Sequence, residues 1–194
     1  IAENKVQELK EKYEALKDTP HTNHFIGHLQ TNKIKEILRC EVSCVESVDR
    51  LDLAQKLHTR LAAEGREMDI FIQVNTSSEE SKFGAHPDEV LTLVQQVAQL
   101  PTLHIKGLMT IGLFSAETEK VRVCFQLLKR LQQDIFALQL PNVAPHELSM
   151  GMSNDLETAI EEGATIVRVG TAIFGQRIYP DSYYWCESHG QCSH

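Results

Sequence analysis

The feature that most constrains this chain is a regular alternation of short apolar runs with longer stretches whose apolar residues recur at helical spacing. The runs fall at residues 24–29, 42–46, 69–75 and 104–111, with two more inside His146–Asp155 and Ile166–Gly175. Between them lie amphipathic patterns. Val6, Leu9, Tyr13 and Leu16 share one face of a helix over residues 4–17, so the chain opens on a helix with no strand before it. Residues 31–38 form a further helical pattern. Leu51, Leu53, Ala54, Leu57 and Leu61 form the next, capped by Ser47 or Asp49 and closed by Gly65. Pro87 opens a helix that Pro101 ends, Val121, Phe125, Leu128 and Leu131 mark a long one over 117–138, and residues 155–162 close at Gly163.

Six strand signals separated by helices predict a parallel sheet with crossover helices. Two architectures satisfy the pattern, an open doubly wound sheet and a (β/α)₈ barrel of the TIM type, of which this chain carries about six of the eight strands. One barrel domain is expected over residues 1–178, followed by a flexible tail over 179–194.

Composition excludes several functions. A formal net charge of −8, with Lys and Arg scattered, offers no patch for a nucleic acid. No apolar run approaches the roughly 18 to 20 residues of a membrane span, and Ile1–Glu8 lacks the profile of a signal peptide. The expectation is a cytoplasmic protein. Cys40, Cys44 and Cys124 lie in apolar or helical surroundings, as reduced thiols do.

In either architecture, ligands gather at the carboxyl ends of the strands. That rule selects His28 and Gln30, the 75–82 loop, Met109 to Gly112, Ser149 to Ser153, and Arg168 to Thr171. Gly170 and Thr171, between a strand and a short helical pattern, present amides and a hydroxyl suited to a phosphate.

Six blocks then carry a resemblance. They are Glu3-Asn4 with Val6-Gln7-Glu8; His24-Phe-Ile-Gly-His-Leu-Gln-Thr-Asn-Lys33; Val74-Asn75-Thr76 with Glu80-Ser81-Lys82; Gly107-Leu-Met-Thr-Ile111; Leu148-Ser-Met-Gly-Met-Ser153; and Val167-Arg-Val-Gly-Thr-Ala-Ile-Phe-Gly175. In this order the chain resembles the pyridoxal 5′-phosphate homeostasis proteins, relatives of the amino-terminal barrel of alanine racemase. The resemblance implies a (β/α)₈ barrel holding pyridoxal 5′-phosphate at its carboxyl face. It implies Gly170, Thr171 and Ser153 as a phosphate cradle, Arg168 as partner of the pyridine nitrogen, Asn4 and Met109 near the ring, and Ser149 and His24 among the cofactor-binding residues. No catalytic residue and no metal ligand are implied.

The family carries its Schiff-base lysine on a first strand of the type Val-Ser-Lys-Thr, followed by a second strand ending in Phe-Gly-Glu-Asn. Here Ile1-Ala-Glu-Asn4 matches only the tail of the second, and the lysine is not in this sequence. The expectation is an amino-terminally incomplete chain, or else a variant that has lost two strands and is open to association through its exposed edges. The intact family fold implies a monomer.

Arg168, always charged, would donate to the pyridine nitrogen and discourage its protonation, which suits storage or delivery of the cofactor. Its alternative is a structural ion pair with Glu161 or a neighbour. Of the other lysines, Lys106 falls at the amino end of its strand, while Lys33 and Lys82 fall on the ligand face and are candidates for a transient bond to the aldehyde. His24 and His28, four apart on an extended strand, are too distant to chelate and are expected to pack and hydrogen-bond. The spacing of Cys186, His189, Cys192 and His194 matches no common zinc site.

The resulting expectation is a non-catalytic carrier of pyridoxal phosphate in vitamin B6 homeostasis, in transient contact with dependent enzymes. The alternatives are an alanine-racemase-like enzyme, for whose second acid/base group on a separate β-domain this chain has no room, and a non-covalent binder of another phosphorylated metabolite.

Overall fold

The computed structural model describes residues 1–77, 79, 82–113, 115 and 117–175. The tail expected over 179–194, with its Cys and His residues, lies outside them. Seven parallel strands run in sequence order, β1 Ala2–Glu3, β2 His24–Phe25, β3 Cys44–Val48, β4 Met68–Gln73, β5 Leu103–Met109, β6 Val143–Met152 and β7 Ile166–Arg168. Every neighbouring pair is parallel. The sheet has one strand more than the sequence signals: Ala2–Glu3 pairs with His24–Phe25, so the chain opens on a strand rather than on a helix. Two residues are too few to display an alternation.

The helices are α1 Val6–Leu16, α2 Ile34–Arg39, α3 Leu51–Glu64, α4 Val90–Val97, α5 Thr118–Ala137, α6 Leu156–Glu161 and α7 Thr171–Phe174. Gly65 ends α3 at φ 63°, where its amide closes on the carbonyls of Leu61 and Ala62. Such a left-handed residue is what glycine supplies without steric cost. Neither Ser47 nor Asp49 caps this helix. Strand β3 runs on through Val48, Ser47 is buried within it, and Arg50 occupies the cap position. Pro87 opens a single 3₁₀ turn, Pro87–Glu89, that leads into α4.

The strands are buried on both faces, as a parallel sheet requires. One face, with Val45, Ile70, Ile72, Ile105, Leu108, Leu148 and Met150, packs on the helices through Leu53, Leu57, Val94, Phe125 and Leu128. The other face gathers Cys44, Phe71 and Met109, with Ile111 and Ile166 against them. The same inner side brings Glu46 of β3 within 2.5 Å of Ser149 of β6. Three strand intervals of about 4.8 Å each would keep these residues some 14 Å apart in a flat sheet. The sheet is therefore rolled, and its architecture is the (β/α) barrel rather than the open doubly wound sheet. Among the described residues β1 and β7 are not paired with each other and stand as its two edges.

Candidate functional site

Side chains from β2, β3, β6 and β7 and the backbone after β5 meet inside the barrel. Glu46 is 1% exposed and Ser149 fully buried. One Glu46 oxygen lies 2.6 Å from His24 Nδ1, and the other accepts the Ser149 hydroxyl at 2.5 Å. A carboxylate only accepts, so His24 carries its proton on Nδ1. Arg168 Nη1 donates to Ser149 Oγ at 2.7 Å and Nη2 to the Thr110 carbonyl at 2.7 Å. The Thr110 hydroxyl donates to the Val74 carbonyl at 2.9 Å and stands 2.9 Å from the Thr76 hydroxyl. Its single proton being committed to Val74, Thr76 is the donor between the two hydroxyls.

Arg168 retains some exposed surface, but burial pushes its guanidinium below the ordinary arginine pKa, against the attraction of Glu46 and then Asp155. An arginine stays charged through such a shift. Glu46 supplies the opposite charge inside the barrel, while Glu161 is engaged elsewhere, 2.8 Å from Arg122. The alternative of an Arg168–Glu161 ion pair is thereby excluded. Two N–H groups of Arg168 serve Ser149 and Thr110, and among the described residues its remaining donors have no protein partner.

Of the residues read from the sequence, His24, Ser149 and Arg168 belong to this network, and Met109 lies buried on the inner face beside Cys44 and Phe71. Ser153, Gly170 and Thr171 form a second group at the strand ends, where Ser153 Oγ accepts the Ala172 amide at 3.3 Å. Among the described residues, and apart from Gly170 and its chain neighbours, no atom lies within 4 Å of the place a Cβ on Gly170 would take, so its backbone is open to close approach. Asn4 follows β1, and its carbonyl abuts Gly27 so closely that a Cβ there would collide with it.

Thr110 fell within the Met109 to Gly112 stretch selected at the end of its strand, although no role was attached to it. Glu46 was not legible as a site residue, because it looks like the polar end of an apolar run. The one signal for Glu46 is a carboxylate inside a strand whose five residues are all buried.

The lysines separate as expected by face. Lys106 is 3.8 Å from Asp69, near the amino end of the strands. Lys33 is tied to Glu36 at 2.9 Å. Lys82 donates to Glu79 at 3.0 Å and to the Gly112 carbonyl at 2.9 Å, linking the loop after β4 to the loop after β5. Nearby, His28 stacks on Phe83 at 4.1 Å, and its buried Nδ1 makes no hydrogen bond. Burial lowers its pKa, with Asp49 opposing. A cavity of about 420 Å³ toward the amino side, lined by Asp69, Lys106, Cys44 and His146, shares only His24 with the network.

A rolled parallel sheet with a guanidinium at its strand ends defines a (β/α) barrel, the architecture whose sites lie at the carboxyl face. The family described as alanine racemase, N-terminal domain, matches residues 1–178. The pyridoxal phosphate homeostasis protein of Aquifex aeolicus is 45% identical over 177 residues, 91% of this chain and 76% of that protein. The protein of the same name from Pseudomonas aeruginosa is 43% identical over 179 residues, 92% and 75% respectively. The solved structure of PipY from Synechococcus elongatus, with pyridoxal phosphate bound, matches at a TM-score of 0.81 and 33% identity, covering 90% of this chain and 80% of that one. The chain belongs to the alanine racemase N-terminal domain family, among the pyridoxal phosphate homeostasis proteins.

Proposed function

We propose that this chain binds pyridoxal 5′-phosphate at the carboxyl face of its barrel and stores or delivers it without catalysing a reaction. The observation that carries the reading is the enclosed Arg168 guanidinium, fixed by Ser149 and Thr110 with donors to spare. These donors suit a pyridine nitrogen. The open backbone at Gly170, with Thr171 and Ser153 beside it, suits the phosphate. Asn4, Met109 and His24 complete the proposed surroundings of the ring. When bound, pyridoxal phosphate supplies an aldehyde and an electron-withdrawing ring, and a guanidinium at the ring nitrogen keeps that nitrogen unprotonated and the ring a weaker electron sink.

Lys82 is the amine best placed to capture the aldehyde reversibly, since it bridges two ligand-face loops, whereas Lys33 is held on its own helix by Glu36. A carrier role, in transient contact with dependent enzymes, is supported by the state of Glu46. Both its oxygens accept hydrogen bonds inside the barrel, so it is not poised as an acid or base beside a substrate.

Equilibrium dialysis of the purified protein against pyridoxal phosphate tests this reading. One saturable site per chain, competed by inorganic phosphate and weakened by Arg168→Ala, is expected. Absence of saturable binding overturns it.

A further inference from the structure

We propose that Glu46 is the positioning residue of this site: through the Ser149 hydroxyl it holds the Arg168 guanidinium in register for the ring of the ligand and supplies its counter-charge. The inference rests on the reading of the site as a pyridoxal phosphate binder and assigns a role to a residue that the sequence did not single out.

The direction of each hydrogen bond leads to it. Arg168 can only donate, so Ser149 Oγ accepts from it at 2.7 Å. Glu46 accepts, so the one Ser149 proton points to it at 2.5 Å. The hydroxyl is thus locked between a cation and an anion, and no rotation satisfies both otherwise. The second Glu46 oxygen is held by His24, which fixes the carboxylate at its far side. A carboxylate 1% exposed is shut off from bulk solvent and depends on such partners. In this arrangement the orientation of Arg168 on β7 is set by a residue on β3, four strands away in the sheet.

A glutamine at position 46 keeps the shape and loses the arrangement. It has one accepting oxygen for the two donors, His24 and Ser149, so its amide N–H is accommodated only if His24 moves its proton to Nε2 or Ser149 turns to accept. In either case Arg168 loses its counter-charge, and the charge-assisted hold on the Ser149 hydroxyl is lost with it. Residues that touch the phosphate are untouched by this change.

Two probes separate the effects: 4-deoxypyridoxine 5′-phosphate, which has the ring and phosphate without an aldehyde, and inorganic phosphate. Calorimetry is carried out on the wild type, E46Q, S149A and the double variant. Glu46→Gln is expected to weaken the ring probe about tenfold, as loss of a charged hydrogen-bond partner does, and phosphate by less than about twofold. The double variant should bind no worse than E46Q alone, because both changes break one relay. If E46Q does not fold, S149A alone must still show the selective loss. Wild-type affinity for the ring probe in E46Q, equal losses for both probes, or additive losses in the double variant overturn the proposal while leaving the binding reading intact. Failure of the wild type to bind the ring probe overturns both.

Discussion

Glu46 and Ser149 touch at 2.5 Å although 103 positions separate them in the sequence. The contact joins β3 to β6 across the barrel interior and places a buried carboxylate one hydroxyl away from a partly buried guanidinium. Removing the carboxylate strands that guanidinium. Glu46→Ala is therefore expected to lower stability by about 3 kcal/mol, the scale for breaking a buried charge pair from one side. Urea unfolding should show the midpoint falling with an unchanged slope, and a midpoint equal to that of the wild type would contradict it.

Lys82 bridges Glu79 and the Gly112 carbonyl, so capture of the aldehyde exchanges these hydrogen bonds for a covalent bond with loss of water. Borohydride treatment in the presence of pyridoxal phosphate should fix the label on Lys82 in preference to Lys33, as read by peptide mass spectrometry. Lys82→Arg should abolish the label. An unlabelled Lys82 peptide in the wild type rejects this assignment.

His28 ties stability to pH. Its pKa in the fold is depressed below the ordinary 6.5 by burial. As pH falls through 6.5 the unfolded chain takes up a proton before the native one does, so the contribution is fully present above that value and is lost toward the lowered native pKa. Denaturation midpoints should decline from pH 7.5 to 5.5, and His28→Gln should flatten the decline. An identical slope in the variant would show that other groups govern it.

Cys44 should be inert. Burial, then Glu46 and Asp69, push its thiol well above the ordinary cysteine range, and the thiolate is the reactive form. Iodoacetamide at neutral pH is expected to leave Cys44 unmodified in the folded protein and to modify it after denaturation. Rapid native labelling at this position would mean that the barrel interior opens.

Gly107 of β5 sits opposite Glu147 of β6 with no room for a side chain. A Cβ there would enter the backbone and side chain of Glu147. Gly107→Ala should cost about 1–3 kcal/mol, as overpacking does, measurable as a drop in Tm. The register between these strands is already irregular at this point, shifting between Ile105 and Gly107.

The helices with clear periodicity and stop signals, such as Leu51–Glu64 ending at Gly65, were legible because their causes are local. Strand β1 was not, since two residues carry no pattern and its partner lies 22 positions away at Ala2↔His24. Strand β6 begins at Val143 and passes through Pro145, a residue without an amide for the ladder, so its start was read at His146 instead. In the candidate site, Arg168 was readable from its place at the end of β7, and Ser149 was selected as though it followed its strand, whereas β6 continues through it to Met152. Glu46 was not readable, because its partners belong to β2 and β6, and a pairing across the interior leaves no trace in spacing.

The strands follow one another around the sheet in the order in which they are synthesised. Each strand can dock on its predecessor as it emerges, so most of the core assembles from neighbours in sequence. The interior relay obeys a different timetable. Glu46 waits for Ser149, and Ser149 for Arg168, so the charged centre is completed only when β7 docks. A ligand that needs Arg168 in place therefore recognises chains in which β7 has docked, and its binding rewards that docking step.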